Sequence, residues 1–283
     1  MNFKSVIIFF NALMVFFLGI IFVMPIIVLG KEMAFAFWQS GWFLAPLILA
    51  ILVFMDLFFA LNYRIYSLLE KEDWPALIQE LEFRILERGL YRPRMVTLLI
   101  NTYLVLSDTR SVTDLEKRLS TARKNLVSKN ALSFGTARIL NRDYEGAADF
   151  FTARLSERAG VKKNNAEWLH WYYGFSLLLS RRFEESAEAF TVLAFNAREA
   201  IPAALSSYFL GENLAAFLFR RSEELRKEAE AGKERVKKAL PTRNAWNKEC
   251  KRVETEIYAA ILQPYMEKTA NYLYGKINDE NNT

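Results

Sequence analysis

Two long apolar runs open the chain, and the pattern changes after them. Val6 to Leu29 (VIIFFNALMVFFLGIIFVMPIIVL) carries no charged side chain. At about 1.5 Å rise per residue it exceeds a hydrocarbon core of roughly 30 Å, so it can span with some tilt. A signal peptide would have an apolar region of about 7 to 15 residues and a small-residue cleavage site; Ile26 to Leu29 offers no such site before Lys31. The second run is Trp42 to Leu61, with Pro46 in its first turn, where a missing N–H costs little. Gly30 to Gly41 forms a short connection, and Trp38 and Trp42 suit a membrane–water interface. Residues 1–61 therefore read as a transmembrane hairpin with antiparallel spans at 6–29 and 42–61.

From Tyr63 onward the apolar positions recur with a helical period. Glycine and proline sit at boundaries (Pro75, Gly89, Pro93, Gly160, Pro202, Gly232, Pro241), and no stretch shows alternation bounded by paired turn signals. The fold class is all-α. Residues 62–243 are expected to form a helical domain, 244–277 a C-terminal capping helix interrupted near Pro264, and 278–283 a disordered tail. Ser222 to Leu240 is densely charged and reads as a solvated helix or arm. The membrane helix is expected to run on without a linker toward a helix starting at Trp74.

Self-similarity supplies the sharper signal. FGTARILNRDYEGAADFF (Phe134 to Phe151) aligns with YGFSLLLSRRFEESAEAF (Tyr173 to Phe190) at a shift of 39 residues, from 134 to 173. This pattern resembles the tetratricopeptide repeat, with copies at 128–161 and 167–200 separated by Val161 to Ala166. In that family a glycine in the first helix admits the second, an aromatic opens the second helix, and a small residue and a phenylalanine plug the gap. Gly135, Tyr144, Ala147 and Phe151 match those roles in one copy; Gly174, Phe183, Ser186 and Phe190 match them in the next. Aromatic or apolar starts at 74, 112, 144 and 183 extend the periodicity irregularly. The resemblance implies an α-solenoid whose first helices line a concave, partner-binding groove. Its groove-facing positions here are Lys129, Leu132 and Thr136, then Trp168, Trp171 and Phe175. The alternative is that the C-terminal helices of the same chain cover these rings.

Charge and chemistry narrow the rest. Residues 1–61 contain four charged side chains, Lys4, Lys31, Glu32 and Asp56, so the net charge of +5 belongs to the helical domain. A well-mixed surface of this kind is no nucleic-acid footprint. The basic flanks Lys4, Arg64 and Lys71 lead to the expectation that both ends of the hairpin, and the helical domain, lie on the cytoplasmic side of a bacterial inner membrane, with the periplasmic side as the alternative. Asn11 and Asp56 lie at matching depth in the antiparallel spans. They read as a hydrogen-bonded pair, as a carboxylate reaching headgroup water, or as an ion-handling group. The single cysteine, Cys250, excludes an internal disulfide, and with the single histidine, His170, argues against a metal centre or a Ser–His–Asp site. No phosphate loop or nucleophile elbow is present. The expectation is a non-enzymatic, cofactor-free scaffold or adaptor in an inner-membrane assembly, with protein partners and the lipid bilayer as its contacts and self-association open. A structural subunit of an envelope machine, or an accessory using Asp56, are the competing readings.

Overall fold

The computed structural model describes residues 3–41, 43–157, 163–254 and 257–275; the expected tail at 278–283 lies outside them. Among the described residues every regular element is helical. The chain divides into two compact units, 1–90 and 91–283.

In the first unit, α1 (Phe3–Ser40) keeps helical dihedrals up to Gly30, which has φ 77°. Only glycine adopts that backbone freely, so the first apolar run ends there. The expected loop is instead mostly helix, because α1 resumes after Gly30 and continues to Ser40. α2 (Leu44–Glu70) runs straight past Leu61, so nothing flexible follows the second apolar run. α3 (Trp74–Glu82), prolonged by a π turn at Phe83–Glu87, folds back on α2. Glu80 holds Arg64 of α2 at 2.9 Å and Arg84 at 2.6 Å, and Arg84 also donates to the Leu61 carbonyl.

A single kind of turn recurs along the chain. Glu72, Ser107, Arg142 and Arg181 adopt φ of 54°, 58°, 60° and 63°. Each following N–H reaches back to a carbonyl five residues earlier: Asp73 to Leu68, Asp108 to Tyr103, Asp143 to Arg138, Arg182 to Leu177. This left-handed C-terminal cap satisfies the carbonyls a helix end leaves orphaned. The same Asp73, Asp108 and Asp143 then cap the next helix, accepting from the N–H of Ala76, Ser111 and Gly146. The helices so opened begin at 74, 109, 144 and 183, spaced 35, 35 and 39 residues apart. The start assigned above to Val112 moves to Thr109, since a capping aspartate rather than an apolar residue sets the boundary.

The second unit contains α4 (Pro93–Val105), α5 (Thr109–Ala122), a short α6 (Lys124–Lys129), α7 (Ala131–Leu140), α8 (Tyr144–Ser156), α9 (Lys163–Leu179), α10 (Phe183–Asn196) and α11 (Ala200–Tyr208). α11 passes into a π segment, Phe209–Leu214, then α12 (Ala215–Phe217), α13 (Ser222–Ala239), α14 (Arg243–Glu254), a 3-10 stretch Ile257–Leu262 and α15 (Gln263–Tyr274). α4, α7, α9 and α11 pack side by side in that order, α8 packs on α7 and α9, α10 on α9 and α11, and α13 on α10 and α11. Most of the expected linker 161–166 is already helix, since α9 starts at Lys163; residues 161–162 lie outside the described residues.

One further expectation changes. α13 is no solvated arm: Leu225, Ala229, Gly232 and Val236 are buried against α10 and α11. A Cβ on Gly232 would lie 2.3 Å from Ser207 Oγ, so small residues let this charged helix approach closely with little apolar area. Arg235 donates to the carbonyls of Ala194 (2.6 Å) and Ala197, tying α13 to the end of α10. The C-terminal segment is interrupted before Pro264. It breaks into α14 and α15, and the second part turns back onto α11 while the 3-10 stretch meets α7.

Candidate functional site

The α9 sequence places Trp168, Trp171, Tyr172 and Phe175 on neighbouring faces of one helix, and two glycines let the surrounding helices close around them. Gly135 faces Phe151 so tightly that a Cβ would sit 2.0 Å from its ring, and Gly174 faces Phe190 at 3.0 Å. Ser186 Oγ donates to the Gly174 carbonyl at 2.8 Å, and Ala147 is fully buried. The Trp171 ring stacks on Phe175 at 5.0 Å and meets Phe190 and Phe209 at 5.9 Å. Tyr144 and Phe183 open α8 and α10 and stay half-buried. The eight repeat-packing residues therefore lie at helix–helix contacts or helix starts.

Of the two readings of this stripe, an open groove or one covered by the C-terminal helices, the covered one describes it. Leu132, Thr136, Trp168, Trp171 and Phe175 are all buried, at 5% exposure or less, and Lys129 is an exposed residue at the end of α6, off the first helix. The cover comes from the chain itself. Tyr258 lies 5.7 Å from Trp168, Tyr265 lies 5.7 Å from Phe175 and 5.0 Å from Phe209, and the Tyr172 hydroxyl donates to the Tyr258 carbonyl. Three rings on one stripe present too much apolar area to leave in water, and the tyrosine-rich C-terminal segment removes it. Burial, then Tyr258, pushes the Tyr172 phenol well above its ordinary range.

One charged arrangement closes the edge of this layer. Trp168 Nε1 donates to Glu199 Oε2 at 2.9 Å, and Glu167 accepts the N–H groups of Arg198 and Glu199 at the start of α11. Burial raises the Glu199 carboxyl above its usual range, the indole N–H works against it, and Glu167 adds to the rise.

The layer stays open at its other end. A cleft of about 490 Å³ lies where the π segment bulges, floored by Phe175, Phe209 and Tyr265 and walled by Phe183 and Phe217, whose rings stack at 4.6 Å. Arg181 stands on its lining, and the buried Oδ1 of Asn213 has no hydrogen-bond partner. A π turn inserts a residue into the helical ladder and commonly marks a functional position. Sequence reasoning missed this cleft; Gly211 inside an apolar helix, whose Cβ would press on Ala229, was the available signal.

The polar residues of the two apolar helices meet. Asn11 Nδ2 donates to Asp56 Oδ1 at 2.9 Å. Outside the spans, Cys250 is buried beside Met266 Sδ at 3.7 Å, and burial together with nearby glutamates pushes its thiol up to about 12, which makes it an unreactive core residue. Burial lowers the His170 pKa, keeping the ring neutral near Tyr173. Among the described residues no cluster of three histidine, cysteine or carboxylate side chains could hold a metal.

α1 and α2 contain stretches, Ile8–Val28 and Pro46–Glu70, long and apolar enough to cross a membrane, and their apolar side chains are exposed rather than buried in the protein. A protein of Treponema pallidum (strain Nichols), described as an uncharacterized protein, is 28% identical over 224 residues, covering 78% of this chain and 69% of its own. No solved structure matches the chain. The family described as uncharacterised Treponema protein matches residues 111–275, from the repeated hairpins through α15. With more than half of its length matched, the chain belongs to that family.

Proposed function

We propose that this protein is a membrane-anchored, tetratricopeptide-like helical scaffold that holds protein partners in an inner-membrane assembly. The observation that carries the reading is the fourfold hairpin turn at Glu72, Ser107, Arg142 and Arg181, joined to the Gly135–Phe151 and Gly174–Phe190 contacts. Repeating hairpins that bury one another's faces are the physical basis of α-solenoids, whose usual work is presenting an extended surface. The apolar hairpin α1–α2 is the anchor in this reading, with the helical domain cytoplasmic. The Asn11–Asp56 bond supports a role in fastening the spans together rather than in moving ions, since the carboxylate is already held by a donor.

In this reading the partner contact lies at the cleft beside the π segment, since the aromatic stripe of α9 is covered by the chain itself. Its aromatic floor and unpartnered Asn213 oxygen suit an apolar anchor side chain of a protein carrying one N–H or O–H donor. A photoreactive residue at Asn213, introduced into the full chain in its native cells, tests this. A discrete cross-linked protein band is expected from Asn213 and none from a control at Arg226. Recovery of the chain in the alkali-extractable fraction overturns the anchor; a membrane-bound chain without an Asn213 cross-link overturns the cleft.

A further inference from the structure

One edge of the second unit is built from its hairpin turns, and it carries an unusual pairing of exposed apolar tips and unengaged arginines. The turns adjoin. Thr109 Oγ1 donates to Asn141 Oδ1 at 3.5 Å, linking the second and third turns. α7 packs on α9, bringing the third beside the fourth, and Arg221 reaches Glu184 at 2.9 Å while Phe217 stacks on Phe183. Along this edge Val105, Leu106, Leu140 and Phe217 are between 44% and 55% exposed, and Phe219 is 83% exposed.

The charges are arranged unequally. Asp108 and Asp143 are used as helix caps. Glu185 is held by Arg182, and Glu184 and Glu224 by Arg221. Arg110, Arg142, Arg181 and Arg220 are exposed and take no part in the ion pairs of the described residues; the acidic side chains on the same turns and helix starts that also lack an ion pair are Asp108, Asp143 and Glu145, with Asp149 one turn further along α8. Arg142 and Arg181 stand at the left-handed apex of their turns.

We propose that this turn edge docks on an anionic lipid bilayer, with guanidinium groups on phosphate oxygens and Leu106, Leu140 and Phe219 entering the headgroup boundary. Guanidinium matches phosphate with paired hydrogen bonds, and single apolar tips interleaved with arginine are the chemistry of an interfacial surface. Leu106, Leu140 and Phe219 stand on separate turns and, unlike Phe217, do not line the cleft at the π segment, which sets them apart from the clustered anchors of a protein interface. The inference rests on the reading of α1–α2 as an anchor, which keeps a bilayer within reach.

The full chain with Cys250→Ser and Phe219→Cys, spin-labelled at the new thiol, tests it in nanodiscs of phosphatidylcholine with and without phosphatidylglycerol. The label should become accessible to lipid-dissolved oxygen and shielded from an aqueous nickel chelate only with phosphatidylglycerol. Each of Arg142→Gln, Arg181→Gln and Arg220→Gln should weaken docking about five-fold, the equivalent of about 1 kcal/mol per basic residue at an anionic surface. A label that stays aqueous in both lipids, or one shielded from both quenchers as in a protein contact, overturns the proposal. Phe54→Cys, labelled in α2 of the same chain, reports separately on the anchor: if it reads water, the anchor reading has failed, and Phe219 is then read against added anionic vesicles with the same two outcomes.

Discussion

Replacing Gly135 by alanine inserts one methyl group into a contact that has no room for it. The new Cβ would lie 2.0, 2.4 and 2.7 Å from the Cζ, Cε1 and Cε2 atoms of Phe151, whereas ordinary contact begins at 3.4 Å, so the ring must retreat by about 1.4 Å. It has little freedom to do so. Phe151 is fully buried, stacked on Tyr172 at 5.9 Å and edge-on to Phe150 at 5.8 Å. Overpacking of a closed core costs typically 1–3 kcal/mol, and a displaced rigid ring belongs at the upper end, about 3 kcal/mol. Alanine in a helix interior returns about 1 kcal/mol relative to glycine, which leaves a net loss of about 2 kcal/mol. For a unit of this size that lowers the melting temperature by about 4–8 °C. Gly174 provides the internal control. There the nearest ring atom is at 3.0 Å and a shift of a few tenths of an ångström relieves the contact, so Gly174→Ala should melt within about 1 kcal/mol of the parent. Thermal unfolding of the detergent-solubilised full chain, followed by the fluorescence of buried Trp168 and Trp171, reads both. Adding Phe151→Leu should recover most of the Gly135→Ala loss, because the smaller side chain vacates the clash. The reasoning fails if Gly135→Ala melts with the parent, or above Gly174→Ala.

The other predictions follow the same contacts. Trp171→Ala empties a fully buried ring site beside Phe175, Phe190 and Phe209, and should cost about 3–5 kcal/mol as loss of cooperative unfolding rather than loss of binding by a folded chain. Asp56→Asn keeps an acceptor for Asn11 and should leave the hairpin as resistant to SDS denaturation as the parent; Asp56→Leu should lower that resistance by about 0.6–2 kcal/mol, and equal behaviour of the two would remove the hydrogen bond from the argument. Maleimide should modify Cys250 far more slowly in the native chain than in urea at pH 8. Because its folded pKa is raised from 9.0 to about 12, its stabilising contribution is complete below pH 9 and is lost as pH rises toward 12; Cys250→Ala should flatten the stability profile over that window. His170 acts in the opposite direction. Its folded pKa is lowered from 6.5, so its contribution is present above that value and is lost as pH falls through the lowered one, a slope that His170→Gln should remove from acid-unfolding curves.

Much of this molecule was legible in particular residues. Apolar runs long enough to span a bilayer, a glycine at 30 and an absence of breakers between Leu61 and Asp73 determine two long helices with no flexible joint after the second. These are local facts of length, hydropathy and backbone freedom. The glycine–phenylalanine pairs at 135–151 and 174–190 were legible for the same reason, since a small residue opposite a large one needs only short-range packing to express itself. Reading Thr109 rather than Val112 as a helix start required seeing that Asp108 caps it, a hydrogen-bonding choice that apolar spacing does not record.

Only the tertiary structure decided what covers the aromatic stripe. Trp168 and Tyr258 are 90 residues apart in the chain, and whether a helix face is open depends on which distant segment reaches it first. The tyrosines at 258 and 265 carry no periodic signal that says they return to α9. Likewise α13 looked solvated because few of its residues are apolar, yet Ala229 and Gly232 bury it by letting backbones approach. Sequence thus determined which surfaces are apolar and where the chain turns. Which of those surfaces remain open to a partner was a matter of long-range packing.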